Sequence, residues 1–245
     1  MVTTVAERPK PASARRKRNP VAEIIAPPQE KPPVPLKKIL LTASPKGGTG
    51  KTSFTKNIAV VAAHMGYRVS VIDFDRQGTL SKWWARRPDH MPHIEHYQAP
   101  LDGAVEIGQI DDYDILVVDT PPGIEDHPDA MLALIQAAAL VIVPTGPGWD
   151  DRESVIPFMR FLRERKVRAA FLLNGVKKGT KLADEARRAL LAVGPMCPIE
   201  VRDLTDIMGS SPLGLGVVEI RDARGGEDFL SVWHFIRNEL ALEEH

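Results

Sequence analysis

The stretch Ser-Pro-Lys-Gly-Gly-Thr-Gly-Lys-Thr at residues 44–52 decides the fold of this 245-residue chain. It follows the apolar run Ile39–Ala43, which has the composition of a buried strand, and it opens the helical stretch Lys51–Met65. A glycine-rich turn between a strand and a helix can curl so that successive backbone amides point at phosphate oxygens, and the helix dipole adds positive potential there. The stretch therefore predicts a phosphate-binding loop.

Two side chains of this loop carry chemistry that a plain turn does not need. Lys51 would place a full charge beside the β- and γ-phosphates of a nucleotide, and the Thr52 hydroxyl is a hard oxygen ligand that suits Mg²⁺. Lys46, a second lysine at the start of the loop, is not required for cradling phosphates. The predicted nucleotide-binding residues of the loop are Lys46, Gly47, Gly48, Thr49, Gly50, Lys51, Thr52 and Ser53.

Four further apolar runs lie downstream of the loop, and helical stretches alternate with them. The runs lack polar alternation, which is typical of strands that are buried on both faces of a parallel sheet. The runs are Arg68–Phe74, Tyr113–Thr120, Ala139–Thr145 and Arg168–Asn174. The helical stretches are Gly123–Ala138, Asp150–Lys166, Lys181–Val193 and a last apolar helix face at Phe229, Val232, Trp233, Ile236 and Leu240. This order predicts an α/β fold, a doubly wound, mostly parallel sheet with helices on both faces.

Three motifs resemble those of the ParA/MinD family of P-loop ATPases. Lys-Gly-Gly-Thr-Gly-Lys-Thr at residues 46–52 resembles the family's deviant Walker A motif. Val-Ile-Asp-Phe-Asp-Arg-Gln-Gly at residues 71–78 resembles its second motif, with Arg76 where proline is usual. Ile-Leu-Val-Val-Asp-Thr-Pro-Pro-Gly at residues 115–123 resembles its Walker B strand. The resemblance extends from Lys38 to the C-terminus. The small size of the chain and the Ser-Pro-Lys-Gly-Gly start of the loop resemble those of the short plasmid-partition ParA proteins.

The resemblance implies roles for single residues. Lys46 is expected to cross to the nucleotide that a second subunit holds, so that ATP is sandwiched between two chains and ADP leaves them apart. Asp75 is expected to orient the attacking water, and Asp119 to hold Mg²⁺ together with Thr52 and Asp75. The implied catalytic set is Lys46, Lys51, Asp75 and Asp119, and Asn174 is the implied adenine contact. Each aspartate taken alone is an ambiguous signal, because carboxylates at strand ends are often only turn residues.

The charge distribution bears on partners. The chain carries 32 Lys+Arg and 32 Asp+Glu, yet residues 1–36 hold seven basic and three acidic side chains together with eight prolines. We expect a flexible basic arm over residues 1–36 and a ParA-type ATPase domain over residues 37–245. The resemblance implies that the ATP dimer binds DNA without sequence preference. Candidate DNA-binding residues are Arg202, Arg221 and Arg224, with Lys177, Lys178 and Lys181 as a second cluster.

The expected function is an ATP-dependent dimerising ATPase that drives plasmid or chromosome partition, or cargo positioning, with a ParB-like activator and a cytoplasmic, nucleoid-associated location. A MinD-type membrane-surface regulator is one alternative, but the last residues, Asn238–His245, are acidic rather than basic. A metabolic P-loop enzyme is another. The single cysteine excludes a cysteine-ligated cluster within one chain, and no stretch approaches the roughly 20 apolar residues of a membrane span.

Overall fold

The computed structural model describes residues 3–4, 35–123 and 127–242, which form a sheet of eight strands. The strands are β1 (Thr3–Thr4), β2 (Lys38–Thr42), β3 (Val69–Asp73), β4 (Glu95–Gln98), β5 (Ile115–Asp119), β6 (Leu140–Thr145), β7 (Ala169–Val176) and β8 (Val201–Arg202). Their order in the sheet is β1-β4-β3-β5-β2-β6-β7-β8. Every neighbouring pair is parallel except β1 with β4. The prediction of a doubly wound, mostly parallel sheet is confirmed.

Helices cover both faces of this sheet. They are α1 (Lys51–His64), α2 (Thr79–Trp84), α3 (Pro128–Ala137), α4 (Trp149–Glu164), α5 (Lys181–Leu191), α6 (Thr205–Gly209) and α7 (Gly226–Leu240). One core layer joins α1, α2 and α7 to the sheet, and the other joins α3, α4, α5 and a 3-10 helix at Leu101–Gln109 to the opposite face. None of the helices within the described ranges is long and apolar enough to cross a membrane.

The central strand β2 fixes where the site lies. It pairs with β5 on one side and with β6 on the other, so the chain changes direction across the sheet at this strand. In open α/β sheets, the crevice for a ligand forms outside the carboxyl ends of the strands at such a switch point. The loop at residues 44–52 leaves the carboxyl end of β2 and enters α1, so it occupies this crevice.

Parts of the fold differ from the sequence-based expectation. The strand β4 has the polar sequence Glu-His-Tyr-Gln, which carries no apolar run to detect, and its edge pairs with Thr3–Thr4. The helix predicted from Gly123 begins at Pro128, because proline is suited to the first helical position and Gly123 has a left-handed φ of 70°. The basic run Arg15–Arg18 of the predicted arm lies outside the described residues.

A buried ion pair ties the segment after α2 to the segment that precedes α7. Arg87 donates to both carboxylate oxygens of Glu219, at 2.7 and 2.9 Å, and the two side chains are 1% and 0% exposed. His64 at the end of α1 contacts the same carboxylate at 2.9 Å. Burial alone would raise the pKa of Glu219, but the hydrogen bonds with His64 and Arg87 outweigh burial, and the pKa is lowered. Glu219 is therefore held as a carboxylate inside the protein.

Removal of one partner of this pair is expected to destabilise the fold. An Arg87→Met chain would leave Glu219 buried without its counter-ion, and its free energy of unfolding should fall by about 3–5 kcal/mol. Urea denaturation measures this loss. The control is Arg86→Met, which changes the neighbouring exposed arginine, and its free energy should stay within about 0.5 kcal/mol of the parent. Equal stability of the two variants would refute a structural role for the pair.

Candidate functional site

The loop between β2 and α1 has a backbone that only glycine tolerates at one critical position. Gly50 has a φ of 89°, and a Cβ atom there would lie 2.1 Å from Nδ2 of Asn174. The same Nδ2 atom donates to the carbonyl oxygen of Thr49 at 2.8 Å. Asn174, the predicted adenine contact, therefore lies against the loop and fixes its shape from β7.

Lys51 is folded beneath the loop. Its ammonium donates to the carbonyl oxygens of Ser44 and Lys46, at 3.1 Å each, and the residue is 7% exposed. Gly47 and Gly48 above it are exposed at the N-terminus of α1. A positive charge under exposed backbone amides at a helix N-terminus is a site for anionic oxygens, and phosphate is the anion whose size and charge suit it.

The strand register brings the acidic residues to the same edge. Thr42 of β2 and Asp73 of β3 each pair with Asp119 at the end of β5. Oδ2 of Asp119 accepts from the Thr52 hydroxyl at 2.6 Å, whereas Oδ1 is buried and has no hydrogen-bond partner among the described residues. Burial raises the pKa of Asp119 to about 7. An orphaned carboxylate oxygen beside a threonine hydroxyl fits Mg²⁺, whose charge would offset the cost of burial.

The two aspartates of the second motif have different environments. Asp73 is fully buried and accepts from the backbone amide and hydroxyl of Ser81, at 2.9 and 2.8 Å. Asp75 is only half-buried, and its Oδ1 accepts from the backbone amide of Gln77 at 2.9 Å. Asp73 therefore holds the turn in place, and Asp75 is the carboxylate nearer to solvent. The turn closes through a bond of 2.9 Å from the Gly78 amide to the Asp75 carbonyl oxygen, so a turn forms here without the usual proline.

Lys46 has a partner within its own chain. Its Nζ lies 2.6 Å from Oδ1 of Asp151 in the first turn of α4, and the two side chains are 40% and 25% exposed. The hydrogen bond with Asp151 raises the pKa of Lys46, so the ammonium stays charged. Sequence reasoning assigned no role to Asp151. The two glycines that precede α4 are related to Asp151, because a Cβ atom at Gly146 or Gly148 would lie 2.3 or 2.9 Å from Oδ2 of Asp151. As placed, the carboxylate therefore leaves room for glycine alone at these two positions.

The three candidate DNA-binding arginines lie at β8 and before α7, and each faces a carboxylate. Arg202 is the most strongly held, because Nε lies 2.8 Å from Asp228 and the side chain also contacts Glu227. These two hydrogen bonds raise its pKa. Arg221 and Arg224 are about three-quarters exposed and have looser pairs at 3.5 and 3.6 Å, with Asp222 and Asp206.

The second basic cluster has a different environment. Lys177, Lys178 and Lys181 are exposed, and no carboxylate in the described part of the chain lies within ion-pair distance of them. They surround the turn between β7 and α5, three to seven residues after Asn174. Their charges are therefore available to an external anion, unlike that of Arg202.

Comparison with known proteins places this site in a family. The model of the CobQ/CobB/MinD/ParA nucleotide binding domain matches residues 40–210. The Maintenance of carboxysome distribution protein A of Gloeobacter kilaueensis is 33% identical over 111 residues, which are 45% of this chain and 50% of that protein. The aligned stretch thus spans about half the length of this relative. An iron-sulfur cluster carrier protein of Pseudomonas fragi is 28% identical over 237 residues, which cover 75% of this chain and 82% of that protein.

Solved structures agree with the fold. MinD, the cell division ATPase of Pyrococcus furiosus, superposes with a TM-score of 0.69 at 19% identity and covers 82% of this chain and 99% of its own. A complex of Cyanothece McdA with ATP superposes with a TM-score of 0.66 at 16% identity, with 85% and 98% covered. The resemblance inferred from the three motifs is confirmed by the family match, which covers well over half of the chain. The chain belongs to the CobQ/CobB/MinD/ParA nucleotide-binding domain family.

Proposed function

We propose that this chain is an ATPase that dimerises when it holds ATP, binds DNA without sequence preference in that state, and positions a plasmid, chromosome or other cargo. The observation that carries the proposal is the pair of lysines in one loop. Lys51 is buried beneath the loop, whereas Lys46 lies on its outer side and is held by a partly exposed ion pair with Asp151. A lysine in that position can change its partner from a carboxylate of its own chain to a phosphate that a second chain holds.

The chemistry follows from where the charges lie. When bound, Mg²⁺ and ATP would supply a γ-phosphoryl group that is open to attack by water. Lys51 and the amides of the loop would neutralise negative charge that spreads over that group, and Thr52 and Asp119 would hold the cation. Asp75, the more accessible aspartate of its motif, would align the water. This arrangement positions the reactants but offers no strong base, so slow turnover is expected until a partner protein completes the site.

The Lys46–Asp151 pair gives the site a way to sense a second subunit. Exposed ion pairs contribute little to stability, because water screens them and two long side chains must be ordered. Transfer of Lys46 to a phosphate in another chain would therefore meet little resistance from Asp151. The γ-phosphate of an ATP molecule in the facing site would attract Lys46 across the interface. After hydrolysis removes that phosphate, Lys46 would return to Asp151.

DNA binding would use basic groups that lack strong internal partners. Lys177, Lys178 and Lys181 meet this condition best, and Arg221 and Arg224 follow. Residues 37–245 carry a net charge of −4, so the DNA-binding face must be local or assisted by the basic residues of the arm. Each phosphate contact should steepen the dependence of binding on salt by about 0.9 in the log–log slope.

The test of this proposal is equilibrium binding to random-sequence DNA with ATP, with ADP and without nucleotide. We expect the chain to bind DNA in the presence of ATP and not in the other two conditions. Replacement of Arg15, Arg16, Lys17 and Arg18 by serine should weaken this binding by about tenfold and lower the salt slope by about 2–3. The matched control replaces the three arginines by lysine, which keeps the charge and should keep the affinity. Binding that is equal in all three nucleotide states would contradict the proposal, and an unaffected serine variant would remove the arm from it.

The alternatives have less support. The Pseudomonas fragi relative is named as an iron-sulfur cluster carrier, but this chain has one cysteine, Cys197, which is fully buried and whose thiol pKa burial raises to about 11. Cluster ligation requires thiolates, so Cys197 is a poor ligand. A metabolic P-loop enzyme would show no ATP-dependent affinity for DNA, and the binding experiment separates it from the proposal.

A further inference from the structure

Trp149 is exposed where a tryptophan is unexpected. The chain has four tryptophans, and Trp83, Trp84 and Trp233 are at most 7% exposed, whereas Trp149 is 68% exposed. Its ring is not loose, because the guanidinium carbon of Arg152, one turn later in α4, lies 5.4 Å from the ring centroid. Arg152 is itself 8% exposed. A large aromatic side chain that is ordered by a buried arginine and yet exposed to water is typical of residues that anchor protein–protein interfaces.

The position of Trp149 connects it to the loop. It is the first residue of α4, two residues before Asp151, the carboxylate that holds Lys46. Steps of four residues along α4 lead from Trp149 through Glu153 and Pro157 to Phe161, so the helix presents these side chains on neighbouring positions of one face. The last three line an apolar cavity of about 570 Å³ that also touches Pro45, the residue before Lys46. Trp149 therefore begins the helix face that borders this cavity, and Lys46 lies near α4 both through Asp151 in the first turn and through Pro45 at the cavity.

We propose that a second copy of this chain covers Trp149 when the nucleotide is bound, and that Trp149 anchors the dimer. The inference rests on the proposed function, in which Lys46 leaves Asp151 for a phosphate of the second chain. A chain close enough to receive Lys46 must also approach the first turn of α4 at Asp151, and Trp149 is in that same turn, two residues earlier. In a two-fold dimer each Trp149 would be buried by the same surface of the other subunit. The contact with Arg152 orders the ring beforehand, which reduces the entropy lost on association.

The first experiment uses tryptophan fluorescence with acrylamide as the quencher. Because the other three tryptophans are buried, the readily quenched emission of the free chain should come from Trp149 and should be missing from a Trp149→Phe chain. A non-hydrolysable ATP analogue with Mg²⁺ should lower the quenching constant of this emission about fivefold, whereas ADP should leave it unchanged. Light scattering on the same samples measures the mass and so shows whether each sample is a monomer or a dimer.

The second experiment measures the dimer directly. Trp149→Asp should raise the dissociation constant of the analogue-bound dimer at least about 30-fold, as expected for an interface hot spot, while nucleotide affinity of the monomer stays within about threefold. Trp149→Phe keeps an aromatic ring and should raise the dissociation constant less than fivefold. Leu191→Asp changes another exposed apolar residue, 56% exposed at the end of α5, and should have no effect.

The outcomes separate this inference from the proposed function. A dimer in which Trp149 is still quenched as in the monomer would overturn the inference and leave the ATP-dependent dimer standing. A shielded Trp149 in a sample that remains monomeric would also overturn it, because the cover would come from the same chain. A parent chain that does not dimerise with the analogue would overturn both.

Discussion

A Lys51→Met chain is expected to bind ATP about 100-fold more weakly than the parent. The ammonium of Lys51 is buried and donates to the backbone carbonyl oxygens of Ser44 and Lys46, so it is positioned to meet phosphate oxygens. A hydrogen bond to a charged group contributes about 1.5–3 kcal/mol to binding. The methionine variant lacks the ammonium of Lys51, so it should lose this contribution to ATP binding. Methionine fills most of the same volume, so the fold should survive.

Titration with a fluorescent ATP analogue measures this change. The matched control is Lys166→Met, which removes an exposed lysine after the end of α4, at the edge of the sheet opposite the loop, and should leave the affinity unchanged. A Lys51→Met chain that binds the analogue as the parent does would show that the nucleotide lies elsewhere.

An Asp75→Ala chain is expected to bind ATP and dimerise but to hydrolyse ATP at least about 100-fold more slowly. General-base and water-positioning groups contribute about 10²–10⁴-fold to such rates. Asp75 is half-buried and its carboxylate accepts a local bond from the Gln77 amide, so its removal should spare the fold, whereas removal of the buried Asp73 should not. The ATP-bound dimer of this variant should therefore persist.

Phosphate release and dimer lifetime, measured together, test the role of Asp75. Asp102→Ala, at an exposed position of the 3-10 helix, is the control and should turn over at the parental rate. Parental turnover in the Asp75→Ala chain would assign the water-positioning role to another residue.

Much of this site could be predicted because local sequence determines it. The loop needs glycine at Gly50 for its left-handed φ, and the apolar runs that become β2, β3 and β5 carry Thr42, Asp73 and Asp119 to one edge through parallel register alone. Strand ends in a parallel sheet meet at the same side, and the resemblance of the motifs to those of the family assigned Lys51 and Asp119 to one site there.

Other features depend on contacts between residues that are distant in sequence. Lys46 and Asp151 are 105 residues apart, and Arg87 and Glu219 are 132 apart, so neither pair leaves a local pattern. The same reason applies to Arg202, which is a candidate DNA-binding residue in the sequence and is paired with Asp228 in the fold. Strand β4 was not predicted because its polar side chains lack the apolar run that identified the other strands.

In the proposed mechanism, Lys46 leaves Asp151 and joins two chains across a nucleotide. Light scattering tests this step through the mass of the parent and of a Lys46→Ala chain, each with a non-hydrolysable ATP analogue and Mg²⁺ or with ADP. We expect the parent to double its mass with the analogue alone, and the Lys46→Ala chain to bind the analogue yet remain a monomer in both conditions. A Lys46→Ala chain that dimerises with the analogue as the parent does would contradict the account.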